Sequence, residues 1–285
     1  MNKQERIKVY ENTVEIVNKG TYTAPNGEEI KINGLNSYMM ENTKFYGKKI
    51  NIEHSSLPHY ETEIKVIDND CIYEAKKLID EGLNPALLNM ASFATPGGGV
   101  INGSGAQEEN IFRRTNLFKS LYQFHYVGEN YNVKQREERY PLDYNFGGIY
   151  TPKVTVFKQG EDKNYELLNE TFLIDIISVA ALKNPRLDEN GIIVPWAKKT
   201  IKNKIKQIID IALENGNDSL ILSAFGCGAY KTPPKQMAML FADVLASEEY
   251  RDLFKKIHFA IIETPSTNGT HNPQGNYKPF KEVFG

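Results

Sequence analysis

Cysteine is scarce in this chain, whose 285 residues include only Cys71 and Cys227. The two lack the CxxC or Cys/His spacing of zinc sites and disulfide frameworks, so we expect neither a metal-stapled nor a disulfide-stapled domain. A reducing compartment is the simplest interpretation, and we predict a cytoplasmic protein. No HExxH motif or carboxylate cluster indicates a metal ion, and we expect no cofactor.

Long apolar runs and an excess of one charge are also missing. Residues 1–19 contain no apolar core of signal-peptide length, and the longest apolar stretch, around Ile176–Leu182, is far shorter than a membrane span. The 34 Lys and Arg against 36 Asp and Glu give a formal net charge of -2. This balance attracts neither nucleic acid nor an anionic membrane, so a local site must hold any anionic ligand.

One tyrosine-rich stretch, Tyr122–Tyr150, imitates a nucleic-acid patch because it also contains Lys134, Arg136 and Arg139. Acidic residues of the same stretch, such as Glu137, cancel those charges. We therefore predict a packed surface segment with no intrinsic nucleic-acid patch.

The order of apolar and turn residues predicts an α/β fold. Residues 4–18 have apolar side chains at helical spacing, and the Ala24–Gly27 turn predicts a hairpin, so we assign residues 1–54 to an N-terminal extension and residues 55–285 to a core. In the core, strands and helices alternate, which is typical of a parallel or mixed sheet covered by helices. The predicted strands are Glu63–Asp68, Pro85–Ala91, Ile149–Lys158, Phe172–Ala180, Ser219–Ala224 and Ile257–Ile262. The predicted helices are Cys71–Glu81, Gln107–Phe124, one through Ile201–Leu213 and one that begins at Pro233-Pro234.

The strongest chemical signal is Pro96–Val100 (PGGGV), which a short connector joins to Gln107–Glu109 (QEE) at the start of a helix. Three glycines let backbone N–H groups approach a bulky ligand, and a helix N-terminus favours an anion such as a diphosphate. The alternative is a flexible surface loop followed by solvated glutamates.

A second glycine loop, Ser223–Tyr230 (SAFGCGAY), leaves a predicted buried strand and precedes a helix. It would lie at the same edge of the sheet, where α/β folds bind ligands, and Tyr230 would stack on a sugar or base. Neither loop matches the GxGxxG or GxxxxGK[ST] nucleotide motifs.

In this combination the chain resembles the macrodomain-fold poly(ADP-ribose) glycohydrolases, whose signature is GGG followed at short distance by QEE. Here the seven residues Val100–Ala106 connect the two parts. Further segments are similar to the bacterial-type branch, and the resemblance covers about residues 63–262. These segments are Leu88–Ala91, Tyr150–Val154, Asp175–Ala181 and Gly226–Gly228.

The resemblance implies a macrodomain-like three-layer α/β/α fold with a mixed central sheet. It also implies hydrolysis of the ribose–ribose bonds of poly(ADP-ribose), with release of ADP-ribose. The expected partners are poly(ADP-ribose) or ADP-ribosylated macromolecules, and we predict a monomer. Glu109 would be the general acid and Glu108 would hold the ribose hydroxyls. The expected substrate-binding residues are Asn89, Gly97, Gly98, Gly99, Val100, Gln107, Gly226, Cys227, Gly228, Ala229 and Tyr230.

Several alternatives stay open. The resemblance to macrodomains implies that Asp68 or Asp70 contacts adenine, although strand-end aspartates commonly cap the next helix. Cys227 could be a nucleophile, but no histidine motif is tied to it, so a small loop residue is favoured. The runner-up functions are a mono-ADP-ribosyl hydrolase acting on protein or nucleic acid, and a non-catalytic ADP-ribose-binding macrodomain. Cleavage within or at the end of the polymer would depend on whether residues past Thr264 and the 125–147 segment close the adenine side.

Overall fold

The structure, a computed structural model, describes residues 1–263 and 269–285, so residues 264–268, on which the predicted closure of the adenine side partly depends, lie outside it. The helices are α1 (Lys3–Lys19), α2 (Asn36–Glu41), α3 (Cys71–Asp80), α4 (Gln107–Arg114), α5 (Leu117–Leu121), α6 (Pro195–Glu214), α7 (Pro234–Leu245) and α8 (Tyr277–Phe284). The strands are β1 (Thr21–Thr23), β2 (Glu29–Lys31), β3 (Lys44–Tyr46), β4 (Glu63–Ile67), β5 (Pro85–Met90), β6 (Gly148–Lys158), β7 (Leu167–Val179), β8 (Ser219–Leu222) and β9 (Lys256–Ala260). None of the helices in the described residues is long and apolar enough to span a lipid bilayer.

The chain divides into two compact units, each built from several segments. The first comprises Met1–Phe45, Ala91–Leu142 and Ile149–Ser178, and the second comprises Tyr46–Met90, Asp143–Gly148 and Val179–Gly285. The proposed division between residues 54 and 55 stays a prediction.

In the first unit, α1 is a well-capped amphipathic helix. Asn2 and Glu5 form a reciprocal capping box at its start, and Gly20, with φ of 80°, ends it in the left-handed conformation. Its inner face, which includes Tyr10 and Ile16, is buried. The predicted N-terminal helix and hairpin are therefore confirmed as α1 and the antiparallel β1–β2 pair.

Strands β6 and β7 of this unit pair antiparallel, from Ile149 opposite Ser178 at one end. The register shifts between Thr151 and Val154, where Lys153 has φ of 53°. Asp175 on β7 stabilises this bulge because its carboxylate accepts the Lys153 N–H at 2.9 Å and the Tyr150 hydroxyl at 2.7 Å. The buried carboxylate thus supplies hydrogen bonds where the bulge interrupts the regular pairing of the two strands.

The predicted single helix 107–124 is wrong in one respect, because α4 ends at Arg114 and α5 begins at Leu117. Thr115 between them is extended, with φ of -139° and ψ of 170°, and forms a bridge with Val156 of β6. The Asn116 side chain then accepts the Thr155 N–H at 2.8 Å. Pairing with the strand therefore competes successfully with continuation of the helix.

The second unit contains a parallel array in the order β5, β8, β9, β4. Its strands are short, β5 is buried at all but its last position, and β8 is buried at every position. Helix α3 contacts β5, β8 and β9, whereas α6 packs on α7 and α7 on α8. Parallel strands in one unit and an antiparallel pair in the other confirm the prediction of an α/β fold with strands in both orientations.

Candidate active site

The first glycine loop follows β5 and turns sharply at two left-handed residues, Gly97 (φ of 79°) and Gly98 (φ of 53°). Side chains of α4 fill the space in which Cβ atoms would lie. A Cβ on Gly97 would be 2.5 Å from the Phe112 ring, and one on Gly98 would be 2.6 Å from Glu109 Oε1. Only glycine fits at these two positions, so the loop backbone passes directly over the start of α4.

Glu108 holds this loop in place through both of its carboxylate oxygens. Its Oε2 accepts the Ser92 N–H at 2.8 Å, and its Oε1 accepts the Gly97 N–H at 2.9 Å. The side chain is buried, with 4% exposure, so these bonds compensate for its loss of hydration. The structure thus shows Glu108 as the residue that shapes the loop, and its contact with ribose hydroxyls stays a prediction.

Glu109 is bonded on one side only. Its Oε1 accepts the Gly99 N–H at 2.9 Å, while its Oε2 is buried and has no hydrogen-bond partner among the described residues. Leaving such an oxygen unpaired is costly, so the geometry favours a hydrogen-bond partner from outside the chain at that position. The two neighbouring glutamates therefore have separate tasks, as expected from their 100° separation around a helix.

The connector between the glycines and α4 is held from α4 itself. Arg113, which is fully buried, donates from Nη1 to Ser104 O at 2.8 Å and from Nε to the Tyr165 hydroxyl at 3.0 Å. Tyr165 has φ of 55°, an unusual conformation for an aromatic residue, and its hydroxyl donates on to Glu161 at 3.3 Å. A hydrogen-bonded chain thus extends from the connector to the turn after β6.

Helix α1 completes this network through Arg6. The Arg6 guanidinium bonds both carboxylate oxygens of Glu161, at 2.8 Å and 3.1 Å, and it would be 2.5 Å from a Cβ on Gly105. These bonds, assisted weakly by the charge of Glu109, raise the pKa of Arg6. We did not identify Arg6, Glu161, Tyr165 or Arg113 from the sequence.

A buried lysine fastens α1 to the same region. Lys158 at the end of β6 donates to Val9 O at 3.1 Å and to the Thr13 hydroxyl at 2.9 Å, and burial lowers its pKa to about 7. Its own carbonyl accepts from Arg114 Nε at 3.3 Å. Buried Lys158 and Arg114 therefore join α1 and α4, the helix that carries Glu108 and Glu109, to the end of β6.

The second glycine loop belongs to the other compact unit and is built differently. Gly226 is left-handed, with φ of 75°, and its carbonyl accepts the Thr232 N–H at 3.0 Å. The Cys227 carbonyl contacts His271 Nε2 at 2.8 Å, and the Tyr230 carbonyl accepts the Asn184 N–H at 2.8 Å. Gly228 and Ala229 are exposed and Tyr230 is half-buried, which leaves this part of the loop open to a ligand.

The Cys227 thiol itself is an unsuitable nucleophile. It is fully buried and lies 3.6 Å from the Phe225 carbonyl, and burial raises the pKa of the thiol. His271 contacts the backbone of Cys227 rather than its sulfur. The structure thus favours the interpretation of Cys227 as a small loop residue.

The other predicted residues occupy different positions. In the second unit, Asn89 is buried in β5, and Asp68 is exposed after β4. Asp70 caps α3, because its carboxylate accepts the Ile72 and Tyr73 N–H groups at 2.9 Å and 3.1 Å. Asp70 thus has the helix-capping role that the sequence left open, and a contact of Asp68 or Asp70 with adenine stays a prediction.

In the first unit, Gln107 begins α4. Val100 is buried at the end of the glycine turn, where its N–H donates to Gly97 O at 3.0 Å. The structure therefore brings Gly97–Gly99 together with Glu108 and Glu109, as the motif predicted. Arg113 had one local signal, because it follows Glu109 by four residues on the same face of α4. Arg6 and Glu161 had none, because they are 155 residues apart.

Comparison with protein families gives a match over more than half of the chain. A family described as "Microbial-type PARG, catalytic domain" matches residues 10–159. Two uncharacterized lipoproteins, from two strains of Staphylococcus aureus, are each 26% identical over 167 residues. That similarity covers 55% of this chain and 65% of each relative, so the chain spans less than two thirds of their length.

Solved structures match along almost the whole chain. Poly(ADP-ribose) glycohydrolase from Thermomonospora curvata, bound to the inhibitor ADP-HPD, has a TM-score of 0.81 and 26% identity, and the match covers 99% of this chain and 100% of that chain. Poly(ADP-ribose) glycohydrolase from Deinococcus radiodurans, in complex with ADP-ribose, has a TM-score of 0.66 and 22% identity over 89% of this chain and 98% of that chain. At that identity the Deinococcus structure supports the similarity of fold alone.

Proposed function

The chain belongs to the microbial-type PARG catalytic domain family, and from this premise we propose that it hydrolyses the ribose–ribose bonds of poly(ADP-ribose) and releases ADP-ribose. The observation that carries the proposal is Glu109, whose buried Oε2 has no partner in the described part of the chain while its Oε1 is fixed by Gly99. A carboxyl group held in this way has one oxygen free to act on a substrate.

In the proposed reaction, Glu109 donates a proton from Oε2 to the leaving ribose oxygen as the bond from that oxygen to the anomeric carbon breaks. The electron pair of the bond stays on the leaving oxygen, and the anomeric carbon develops positive charge. Water then adds to this carbon and returns its proton to Glu109. The acid is thereby regenerated, and one water molecule is consumed for each bond.

Glu108 does not serve as a second reacting carboxylate in this scheme. Both of its oxygens accept backbone N–H groups of the loop, so it is a positioning residue for the glycines that contact the substrate. The N–H groups of the loop and the start of α4 would face the diphosphate, where their partial positive charge is favourable. We therefore propose a mechanism with a single acid/base residue rather than the paired carboxylates of most glycosidases.

The decisive experiment measures ADP-ribose released from purified poly(ADP-ribose) by mass spectrometry. We expect the wild type to release it and Glu109→Gln to lose about a thousandfold in kcat, the scale of lost proton transfer and positioning. Glu170→Gln, a change at an exposed glutamate of β7 in the same unit, is the matched control and should retain wild-type activity.

Three results would contradict the proposal in different ways. Release only from mono-ADP-ribosylated protein or nucleic acid would indicate a hydrolase of single units. Binding of ADP-ribose without release from any substrate would indicate a reader. Full activity of Glu109→Gln would exclude Glu109 as the acid.

We propose a cytoplasmic location and a monomeric state for the same protein. The two cysteines are free and buried, as is usual in a reducing compartment. Glu109 and the loop that it contacts lie within one compact unit, so the proposed reaction needs no second copy of the chain. The Staphylococcus relatives are named lipoproteins, so the location must be tested directly. Cells are separated into soluble and membrane fractions, and the protein is detected in each fraction by immunoblot. Recovery in the membrane fraction would contradict the proposal.

A further inference from the structure

A row of side chains on α6 has the character of a nucleotide-binding surface. Trp196, Lys199, Asn203 and Lys206 follow one another at intervals of three, four and three residues, which places them on one face of the helix. Trp196 is the only tryptophan of the chain and is 51% exposed. Tryptophan is highly buried on average, so a half-exposed indole offers a large aromatic surface to a ligand.

Two cavities, each of about 540 Å³, flank this row within the second unit. The first is also lined by Lys49, Asn145, Phe146 and Gln207, and the second lies in the groove between α6 and α7. Both are open to solvent, and their volume lies within the range of small-molecule sites in proteins. We call the row and its two cavities the α6 groove.

The α6 groove carries a local positive charge. Lys202 pairs with Asp243 at 2.8 Å and Lys206 pairs with Glu249 at 2.7 Å, so these two lysines are largely neutralised. In the described residues no carboxylate lies within ion-pair distance of Lys198 or Lys199. Lys49 also has no ion pair at that distance, but its charge helps to lower the pKa of Glu249.

Asp210, the acidic residue that lines the first cavity, already has hydrogen-bond partners within the protein. Asp210 contacts His54 Nε2 at 2.8 Å and accepts the Tyr250 hydroxyl at 3.2 Å. The lysines that remain in the α6 groove therefore favour an anion, although the whole protein has a formal net charge of -2.

One buried acceptor indicates what else the ligand must contain. Gln207, which is 1% exposed, donates from Nε2 to Lys48 O at 3.1 Å, while its Oε1 has no partner among the described residues. A buried carbonyl oxygen left unpaired costs stability, so a ligand that brings a donor to it is favoured. The amino group of adenine or a ribose hydroxyl is such a donor.

We propose that the α6 groove binds an ADP-ribose unit of a poly(ADP-ribose) chain, separate from the unit that is being cleaved. Trp196 stacks on adenine, the unpaired lysines hold the diphosphate, and Gln207 Oε1 accepts a hydrogen bond from the unit. The inference rests on the proposed function for the choice of polymer. A chain held at two sites has a high effective concentration at the second, so long polymers bind more tightly than short ones.

The direct test uses the fluorescence of Trp196, because no other tryptophan contributes. Glu109→Gln protein, which leaves the polymer intact, is titrated with poly(ADP-ribose) of defined long length. We expect quenching of the Trp196 emission, and Lys199→Glu in the same background should weaken binding about tenfold because it reverses a charge in the groove. Lys8→Glu, the same charge change at an exposed position of α1, should alter binding less than twofold.

Two results would overturn the inference. Polymer that binds by filter assay without changing the emission of Trp196 would place the contact elsewhere. Equal affinity for single-stranded DNA with the same number of phosphates would show general attraction of polyanions rather than a site for ADP-ribose units.

Kinetics separate this inference from the proposed function. With wild-type Glu109, Lys199→Glu should raise KM for long polymers about tenfold and leave kcat, and the KM for a two-unit oligomer, unchanged. An equal rise of KM for the oligomer would overturn the inference, because Lys199 would then act on the cleaved unit. Absence of any hydrolysis by the wild type would refute the proposed function alone, and the fluorescence titration would still decide whether the groove binds the polymer.

Discussion

The two glycine loops of this protein, each described within its own unit, are held by different physical means. Carboxylates from the next helix shape the first loop, since Glu108 and Glu109 accept three of its backbone N–H groups. Backbone bonds and close packing of neutral atoms shape the second, around Gly226 and the buried Cys227. The conformation of the first loop thus depends on buried charged groups, and that of the second depends on backbone hydrogen bonds and close packing.

This difference indicates where the chemistry lies. Buried charge is costly and is retained where a reaction needs it, whereas a binding surface can be built from neutral backbone at less cost. Changes in the first loop should therefore act mainly on the rate of reaction. Changes in the second should act mainly on stability.

The largest effect is expected from Gly98→Ala in the first loop. Its Cβ would lie 2.6 Å from Glu109 Oε1 and 3.1 Å from Glu108 Oε2, at a left-handed φ of 53°, so both carboxylates must move. We expect kcat for ADP-ribose release to fall about a hundredfold, because displacement of reacting groups by 1 Å has this scale. Gly191→Ala is the control, since Gly191 has a similar φ of 75° but nothing within 4 Å of the added atom. Equal losses in both variants would mean that backbone strain alone is responsible.

In the second loop, Gly226→Ala should act on stability. The added Cβ would be 2.8 Å from Ala181 Cβ and 3.0 Å from Thr232 Oγ1 at a φ of 75°, so both strain and overpacking arise. We expect the free energy of unfolding in denaturant to fall by about 2 kcal/mol. Gly216→Ala, with the same φ and free space, should lose less. If both variants unfold at the same denaturant concentration, backbone strain alone explains the loss, and overpacking against Ala181 and Thr232 does not contribute.

Arg6→Gln tests whether α1 positions the first loop. The change removes the ion pair with Glu161 and so loosens the chain from Tyr165 to Arg113 and the connector. We expect kcat to fall about tenfold with little change in KM, because the loss is one of orientation. Arg6→Lys should recover part of the loss, and Lys8→Gln should have no effect. A change confined to KM would show that Arg6 contacts substrate instead.

The smallest effect is expected from alkylation of the second loop. Because burial raises the pKa of the Cys227 thiol, it stays protonated at pH 8 and has no access to reagent. Folded protein treated with iodoacetamide should show no added mass at Cys227, and unfolded protein should gain two additions, at Cys71 and Cys227. Rapid modification of folded Cys227 would contradict the neutral, closed character of this loop.

Local features of the sequence predicted much of the first site. The start of α4 at Gln107 follows from a helix pattern with acidic residues in its first turn, and the need for glycine at Gly97 and Gly98 follows from the motif. The end of α4 was not predictable in this way, because Thr115 pairs with Val156, far away in the chain. Pairing with a strand can override a helical pattern whenever tertiary contacts offer more than local propensity.

The sequence did not indicate α2, β3, α8 or the break between α4 and α5. By itself, it determined the order of the remaining strands and helices, the two glycine turns and the adjacency of Glu108 and Glu109. These depend on backbone dihedrals, capping and periodicity, all of which act over a few residues. Tertiary structure alone decided that Glu108 holds Ser92 and Gly97, and that Arg6 braces the connector through Glu161. Such partners are selected by packing between segments far apart in the chain, and the burial that makes each bond valuable exists only after those segments have met.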